Sequence, residues 1–562
     1  MATTSCRRRR RSARYQSVAK PSGSIHPRVQ KATPEHFGIV AVDCAKARSK
    51  WLLADFYGRV LVEPTLLEHT RQGFQQAIAA VRQAIATHDL RDLVVAIEQT
   101  GVYHQPVKHV FTTAGFETRN VHPLTTKQFR IPADPGIKTD DTDLLAIHRA
   151  AANGFGLIEP KRDELYTELR LLARHRRDLV VKNATLRNQI HLELDAVFPG
   201  LSAAVGNIFD HEPTLVIARH VRSAQEIRAL GLEGLARLLD DKGVRYQRRS
   251  LAKILAWADQ AHEGIECSKI HKKIFEDLDD ERRARLRLIR SLEREMAALL
   301  VRTPYVLLLS FPGINVVSAA EFAGEMGPIE NYPSDGAITG RAGLFPSRYQ
   351  SDRVDHSDGP LVRRANHALR YVILLIADNL LLCNDHFRSL GQRWQAQGVD
   401  PRIRCVRVAK RFCRIAYQMV AGRQVFRHPS CRQRHKILDK LVKFHIDHDL
   451  DIMMMSNDLH AAVQWIPQAE AAAEAEPLQA RLTPRSSPVP ARSPAPVPQA
   501  NPLTTKPVPA CAQTPPRVAT RPEATSRRSS GPRPLSEILP EVLVRLGVKL
   551  VESSAKGETD LT

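Results

Sequence analysis

The sequence predicts an α/β domain at the N-terminus followed by a mainly helical remainder. Two apolar runs, FGIVAVD and DLVVAIE, have the length and β-branched composition of buried strands. From about residue 160, leucines recur at three- and four-residue steps, as in long amphipathic helices. After about residue 467 the composition turns to Pro, Ala, Ser and Arg, which bury too little apolar surface to fold. The predicted fold class is therefore α/β plus all-α, with a disordered Pro/Ala-rich tail.

The N-terminal domain is assigned to residues 37–155. FGIVAVD is followed by a hairpin, in which WLLADF turns at Tyr57 and Gly58 into RVLVE. A helix over 74–85, the strand DLVVAIE, a helix over 107–111 and the strand ETRNVHP come next. Three strands before alternating helices and strands predict an RNase H-like layer.

Four acidic residues lie where these predicted elements begin or end. Asp43 and Glu98 each close an apolar strand, while Asp140 and Asp143 are three residues apart in KTDDTD and share one helix face. Any one of them is as well explained by a solvated or helix-capping acid. Together they favour a site for Mg²⁺ or Mn²⁺, because these hard cations prefer oxygen ligands. Phosphodiester chemistry is the natural use of such a site.

Composition narrows the class of partner. A formal net charge of +22 over 562 residues favours a polyanion. Nucleic acid fits better than a membrane, because no run approaches the ~20 apolar residues of a spanning helix. The eight cysteines are scattered singly, which argues against structural zinc and fits a reducing compartment.

The rest of the chain is divided by pattern. A coiled-coil seam is predicted, and its partner is either a later helix of the same chain or a second copy. The FPGI turn resembles a helix-hairpin-helix that holds DNA through main-chain amides, and a packing unit without DNA contact is the alternative. The predicted segments are a basic flexible arm (1–35), the helical coiled-coil region (160–300), a mainly helical C-terminal domain (304–430), a disordered linker (467–535) and a short amphipathic helix (536–552).

Taken in order, several motifs resemble one family. They are VDCAK at Asp43, IEQTGVY at Glu98, KTDDTD at Asp140 and Asp143, FPGI at Pro312, AGLFP to QSD at Ser351, and NHALR at Arg370. The chain is similar over about residues 37–430 to the DEDD transposases of bacterial insertion sequences. These pair a RuvC-like N-terminal domain with a C-terminal serine transposase domain and are guided by a bridge RNA. The resemblance implies DNA and a structured noncoding guide RNA as partners, a homo-oligomer (dimer or tetramer), no membrane, and a bacterial cytoplasmic, nucleoid-associated location.

The resemblance also assigns roles. The four acids hold the metal, and the serine after the GLxP motif, which is Ser351 here, is the nucleophile that joins to DNA. A glycine usually follows that serine, whereas Asp352 follows it here, so Ser347 and Ser357 remain alternatives. Arginines near the serine are candidates to hold the scissile phosphate. They are Arg348, Arg353, Arg363, Arg364 and Arg370.

Two other functions satisfy part of the pattern. A RuvC-like structure-specific nuclease needs the acids and the metal but no serine. An inactive basic protein that coats nucleic acid needs neither. Substituting Ser351 abolishes the activity of a transposase but not that of a nuclease. Substituting Asp43 abolishes the activity of either enzyme but changes nothing in an inactive binding protein.

Overall fold

A five-stranded mixed sheet forms the centre of the first of two units. The computed structural model describes residues 25–158, 163–262, 268–351, 354–356, 359–431 and 436–470. The chain divides into unit 1, Met1–Lys161, and unit 2, Arg162–Thr562. The predicted linker, the terminal amphipathic helix, Asp352, Arg353 and Ser357 lie outside the described residues, as do residues 1–24 of the predicted arm.

Unit 1 has sheet order β3-β2-β1-β4-β5. The first three strands are antiparallel, and β4 and β5 continue parallel to β1. The strands are β1 Phe37–Asp43, β2 Arg48–Asp55, β3 Val60–Glu68, β4 Asp92–Glu98 and β5 Glu117–Val121. The helices are α1 His26–Ala32, α2 Arg71–Thr87, α3 His104–Thr113, α4 Pro123–Arg130 and α5 Asp140–Ala152. The α/β prediction for this domain is confirmed.

Side chains of the central strands alternate between two cores. Ile39 and Ala41 pack with α1 and α5 on one face of the sheet. Val40 and Val42 pack with α2 and α3 on the other face. All four are fully buried, as expected for a sheet covered by helices on both sides.

Helix α1 corrects the last part of the predicted flexible arm (1–35), because His26–Ala32 are helical and packed on the sheet. Val29 faces the sheet core, and Arg28 bridges Asp92 at 2.5 Å and Glu117 at 2.8 Å. These partners are 64 and more residues away in sequence, so no local pattern indicates the helix. The predicted series also lacked α4.

Unit 2 begins with helices around a long antiparallel hairpin. They are α6 Glu164–Val197, α7 Leu201–Val205, α8 Glu212–His220, α9 Ala224–Asp241, α10 Arg248–Gln260 and α11 Ser268–Leu300. Leu179 of α6 packs on Ile289 and Leu292 of α11, and His271 pairs with Glu193 at 2.7 Å. The predicted seam of α6 therefore has a partner within the chain, and pairing with a second copy stays a prediction. Helices α7 to α10 form a separate core with the distal ends of both long helices.

The C-terminal part of unit 2 begins with a 3₁₀ helix, Pro304–Ser310. Its elements are α12 Val316–Met326, α13 Asp335–Arg341, the hairpin β6 Tyr349–Ser351 and β7 Val354–His356, α14 His367–Cys383, α15 Asp385–Ala396, α16 Pro401–Gly422, α17 Ile437–Asp447 and α18 Ile452–Val463. The predicted boundary at 430 is too early, because Leu441 and Ile466 belong to the same core as Phe311. In the described part of the chain no single helix is long and apolar enough to cross a membrane, although the bent pair α14–α15 passes that test jointly.

The FPGI turn faces the interior. Phe311 and Ile314 are buried, and Lys440 donates to their carbonyls at 2.5 and 2.8 Å. Gly313 has φ +95°, and a Cβ there would lie 3.1 Å from the Asn379 carbonyl of α14. These contacts favour the packing alternative over a turn that presents its amides to DNA.

Candidate functional site: a carboxylate cluster and a serine hairpin

Strands β1 and β4 bring Asp43 and Glu98 to one edge of the sheet. The two strands are parallel and pair Val42 with Ile97, so the same register sets Asp43 beside Glu98 one residue further on. Alternation along each strand directs both side chains to the face that α5 covers. Each carboxylate is half-buried.

Helix α5 supplies the other two acids. Thr139 caps its N-terminus, accepting a hydrogen bond from the Thr142 amide at 3.2 Å, and Asp140 is the first helical residue. Asp143 lies one turn later and is only 8% exposed, next to the buried Leu144 and Ile147. Asp140 is exposed, so the predicted DxxD face has one inner and one outer carboxylate.

The electrostatics tie all four acids to one site. Burial, then the charges of Asp143 and Asp140, raise the pKa of Asp43 to about 6. Burial, then the charges of Asp43 and Asp143, raise the pKa of Glu98 to about 7. A charge that shifts the pKa of a neighbouring carboxyl group lies within electrostatic range of it. The structure thus brings the four predicted acids together.

Two basic residues that the sequence motifs did not single out lie among these acids. Arg130, at the end of α4, donates to and pairs with Asp143. Lys138 lowers the pKa of both Asp43 and Glu98 by its positive charge. Lys138 directly precedes the DxxD turn, whereas Arg130 lies 13 residues before its partner, outside any motif. Both cations offset the repulsion between the carboxylates.

The donor set fits a hard divalent cation in its chemistry, since it consists of carboxylate oxygens that repel one another. Within the described ranges, no group of three or more His, Cys, Asp or Glu side chains is arranged to hold a metal ion. The acids are therefore close enough to shift pKa values, but their carboxylate oxygens do not converge on one point. Because Arg130 engages Asp143, cation binding requires that this carboxylate change partners.

Ser351 lies on the exposed hairpin of unit 2. It is the last residue of β6 and pairs with Val354 of β7. Its side chain is exposed, as is that of the alternative, Ser347, whose hydroxyl donates to the Pro360 carbonyl at 3.0 Å. Of the two, Ser351 is at the end of the hairpin and Ser347 closes its base.

The neighbouring arginines fall into two groups. Arg348 forms a bidentate pair with Asp355 across the hairpin, at 3.0 and 2.7 Å. Arg370 donates to the carbonyls of Ala342, Gly343 and Val362, so it fixes the two ends of the serine loop. This internal role corrects the prediction that Arg370 holds phosphate. Arg363 and Arg364 are exposed, and their predicted DNA contact stays a prediction.

Gly343 is required beside Arg370. Its φ is +61°, and a Cβ there would approach the Arg370 guanidinium to 2.4 Å. Helix α14 then begins at His367, four residues later than the predicted start near Arg363, because Asn366 caps it and accepts from the Ala368 and Leu369 amides. The Asn366 side chain also donates to the buried Glu325 of α12 at 3.0 Å.

Comparisons with known proteins match the two parts of the chain that carry these sites. Residues 40–199 match a family model of DEDD-type IS110 transposases, described as "Transposase". Residues 305–392 match the model "Transposase IS116/IS110/IS902 family". An insertion element IS116 uncharacterized 44.8 kDa protein of Streptomyces clavuligerus is 24% identical over 265 residues, covering 47% of this chain and 66% of that protein. An insertion element IS110 uncharacterized 43.6 kDa protein of Streptomyces coelicolor is 24% identical over 286 residues, covering 50% and 70%.

A sheet edge lined with carboxylates, in a chain that matches two transposase models in succession, defines a DNA transposase. Within that class, the chain is similar to IS110/IS116 insertion-element transposases over residues 40–199 and 305–392.

Proposed function

We propose that this transposase cuts and rejoins DNA at the ends of its element and at a target, using a metal-bound acid tetrad and a serine nucleophile. Asp43, Glu98, Asp140 and Asp143 hold Mg²⁺ or Mn²⁺, and Ser351 attacks the phosphate. The observation that carries the proposal is the β1–β4 register, which sets Asp43 beside Glu98 at the sheet edge that α5 covers with Asp143. The strand order, with an antiparallel trio extended by two parallel strands, supports an RNase H-like fold for this domain.

When bound, a divalent cation supplies charge neutralisation at the phosphate and activation of a hydroxyl nucleophile. The protein's part is to gather the ligands. Asp43 and Glu98 are fixed by the β1–β4 register, and Asp143 is fixed by burial of α5 against the sheet. In the metal-free protein, Arg130 pairs with Asp143, and the charge of Lys138 lowers the pKa of Asp43 and so favours its ionised form.

The serine step forms one bond and breaks one. The Ser351 Oγ attacks phosphorus, the bond from phosphorus to a deoxyribose oxygen breaks, and the hydroxyl proton is transferred to that leaving oxygen. The product is a serine–phosphate ester that a deoxyribose hydroxyl can later resolve. Exposure of Ser351 on a short hairpin and the Arg370 contacts at the base of the loop support this role.

The partners follow from the family and the charge. A net charge of +22 suits nucleic acid. As the resemblance implies, a structured noncoding RNA reads donor and target by base pairing while the protein reads backbone and shape. A homo-oligomer, dimer or tetramer, would bring several acid tetrads and serines to one DNA synapse.

The test is a denaturation-resistant protein–DNA adduct. Purified protein is incubated with Mg²⁺, RNA from the element flank and labelled element-end DNA. We expect the adduct in the wild type and in Ser347→Ala, and its loss in Ser351→Ala and Asp43→Asn. An adduct that survives in Ser351→Ala but not in Ser347→Ala or Ser357→Ala moves the nucleophile to that serine.

Two outcomes separate the other functions. Cutting that needs Asp43 but forms no adduct identifies a hydrolytic RuvC-like nuclease. DNA binding without any cut product, unchanged by Asp43→Asn, identifies an inactive nucleic-acid-binding protein.

A further inference from the structure

Helix α16 carries a basic face that the serine chemistry does not use. Its 22 residues include six basic side chains and no acidic one. Arg407, Arg411 and Arg414 are spaced by four and three residues, so they lie on one side of the helix. Arg393 of α15 adds a fourth charge next to Arg411. We call Arg393, Arg407, Arg411, Arg414 and the indole of Trp394 the Trp394 face.

The face is held in place by the indole. The guanidinium carbons of Arg407 and Arg411 lie 5.6 and 4.9 Å from the centre of the Trp394 ring. Trp394 itself is half-buried against the core of the C-terminal part. Stacking on an aromatic ring orients an arginine while leaving its N–H groups free to donate. These two side chains are therefore pre-oriented donors rather than fully mobile charges.

Ion pairs with described residues do not neutralise the arginines of this face. Within the described residues, no salt bridge joins a carboxylate to any of its four arginines. Burial lowers the pKa of Arg411, and the charges of neighbouring arginines lower it further. Those neighbours are Arg414, Arg393 and Arg407. Like charges gathered without acids repel one another, and binding a polyanion relieves that repulsion.

This arrangement contrasts with the serine loop. Arg348 is neutralised by Asp355, and Arg370 is engaged by three backbone carbonyls. The arginines nearest the proposed nucleophile are thus partly committed to the protein. On the Trp394 face, Arg393, Arg407 and Arg414 are exposed and Arg411 is half-buried, and none of the four forms a salt bridge with a described residue.

We propose that the Trp394 face is a docking surface for the phosphate backbone of duplex DNA. The inference rests on the proposed function only in taking DNA as the partner. From Arg407 to Arg414, α16 rises ~10 Å, a length over which a duplex carries roughly six phosphate charges. Each arginine therefore has a phosphate within reach. The contacts are to backbone, so they position DNA without reading its sequence.

The test compares two variants that lose the same charge. The first is Arg407→Gln/Arg411→Gln/Arg414→Gln on the Trp394 face. The second removes three exposed arginines that are scattered over the chain, Arg82→Gln/Arg237→Gln/Arg287→Gln. Full-length protein is titrated into a labelled DNA duplex without divalent cation, so that no cutting occurs, over a range of KCl concentrations. The readout is the slope of the logarithm of the association constant for the duplex, K, against the logarithm of the salt concentration.

The slope is negative, and we expect the first variant to reduce its magnitude by roughly 2.7, or about 0.9 for each lost phosphate contact. The scattered variant should reduce it by less than one. Equal losses in both variants, or none in the first, overturn the proposal. A loss for duplex RNA of the same sequence but not for DNA also overturns it. If the triple variant does not fold, Arg414→Gln, at an exposed position, is expected to reduce the magnitude of the slope by about 0.9.

The two proposals fail separately. The adduct assay tests the serine chemistry, and the salt dependence of duplex binding tests the Trp394 face, which contains no serine. A missing adduct with an intact difference between the two triple variants rejects the serine chemistry and keeps the docking surface. An adduct in the wild type with no difference between the two triple variants keeps the serine chemistry and rejects the docking surface.

Discussion

At the scale of single residues, Asp43 shows how neighbouring carboxylates at a sheet edge lower the stability of the protein that carries them. Its pKa of about 6 lies above the ordinary 3.8, so the folded chain retains a proton that the unfolded chain releases. The contribution of this group to the stability of the metal-free protein therefore falls as the pH rises from about 4 to 6.

Replacing this carboxylate by a neutral amide is expected to stabilise the metal-free protein. At pH 7.5, Asp43→Asn should raise the free energy of unfolding by about 1 kcal/mol, less than the pKa shift alone implies because solvent screens a half-buried group. Mg²⁺ should raise the melting temperature of the wild type but not of the variant. Thermal melts with and without Mg²⁺ measure both effects. A variant that is less stable than the wild type in EDTA, or that keeps the Mg²⁺ response, contradicts the site.

Lys440 gives the opposite dependence on pH. Burial lowers its pKa from 10.5 to about 7. Between those values the unfolded chain binds the proton that the folded chain has lost, so stability rises with pH from about 7 upward. The wild type should gain roughly 1 kcal/mol per pH unit from this group between pH 7.5 and 9.

Lys440→Met keeps the aliphatic stem and removes the titration. Melting temperatures across that pH range should rise for the wild type relative to the variant. Lys443→Met, a change on an exposed turn of the same helix, is the matched control and should follow the wild type. Parallel curves for Lys440→Met and the wild type would show that the lysine stays charged at the turn.

At the scale of elements, ion pairs join α6 to α12. Glu325 of α12 is 1% exposed and accepts from Arg174 of α6 at 2.6 and 3.0 Å. Glu321, 2% exposed, accepts from Arg176 and Arg177 at 3.1 Å each. Because a buried carboxylate without a partner is costly, these arginines fix the rotation of α12 against α6.

Removing the arginine alone from the Arg174–Glu325 pair should destabilise the protein more than removing the charges of both partners. We expect Arg174→Ala to lower the stability of unit 2 by about 2 kcal/mol, since it leaves Glu325 buried and charged. Adding Glu325→Gln should restore part of that loss, because the amide needs no counter-charge. A double-mutant cycle by calorimetry measures the coupling. If Arg174→Ala lowers the free energy of unfolding equally with Gln and with Glu at position 325, the ion pair does not stabilise the packing of α12 on α6.

Elements with their own periodicity were predictable, and elements held by distant partners were not. The strand ending at Asp43 and the seam of α6 follow from local apolar patterns. Helix α1 was not found, because Arg28 pairs with residues far along the chain. Arg370 looked like a phosphate ligand, since nothing in the sequence shows that loop carbonyls face it. In the candidate site, the acids were visible at strand ends, while Arg130 was not.

At the scale of the whole molecule, each unit has cores of its own. In unit 1 both faces of the sheet are covered by helices of the same unit, α1 and α5 on one side and α2 and α3 on the other. The acid tetrad lies entirely within it. Its described residues, about 130, are in the range of an independently folding domain.

A fragment of residues 25–158 should therefore fold alone and keep its metal response. We expect one cooperative thermal transition and a rise in melting temperature with Mg²⁺ or Mn²⁺ that Asp43→Asn abolishes. The fragment should form no DNA adduct, since Ser351 belongs to unit 2. Calorimetry and the adduct assay on the fragment check these points. Cooperative folding without a metal response would mean that ligands from unit 2 or another protomer complete the site, whereas a fragment without a transition would mean that the sheet needs the rest of the chain to fold.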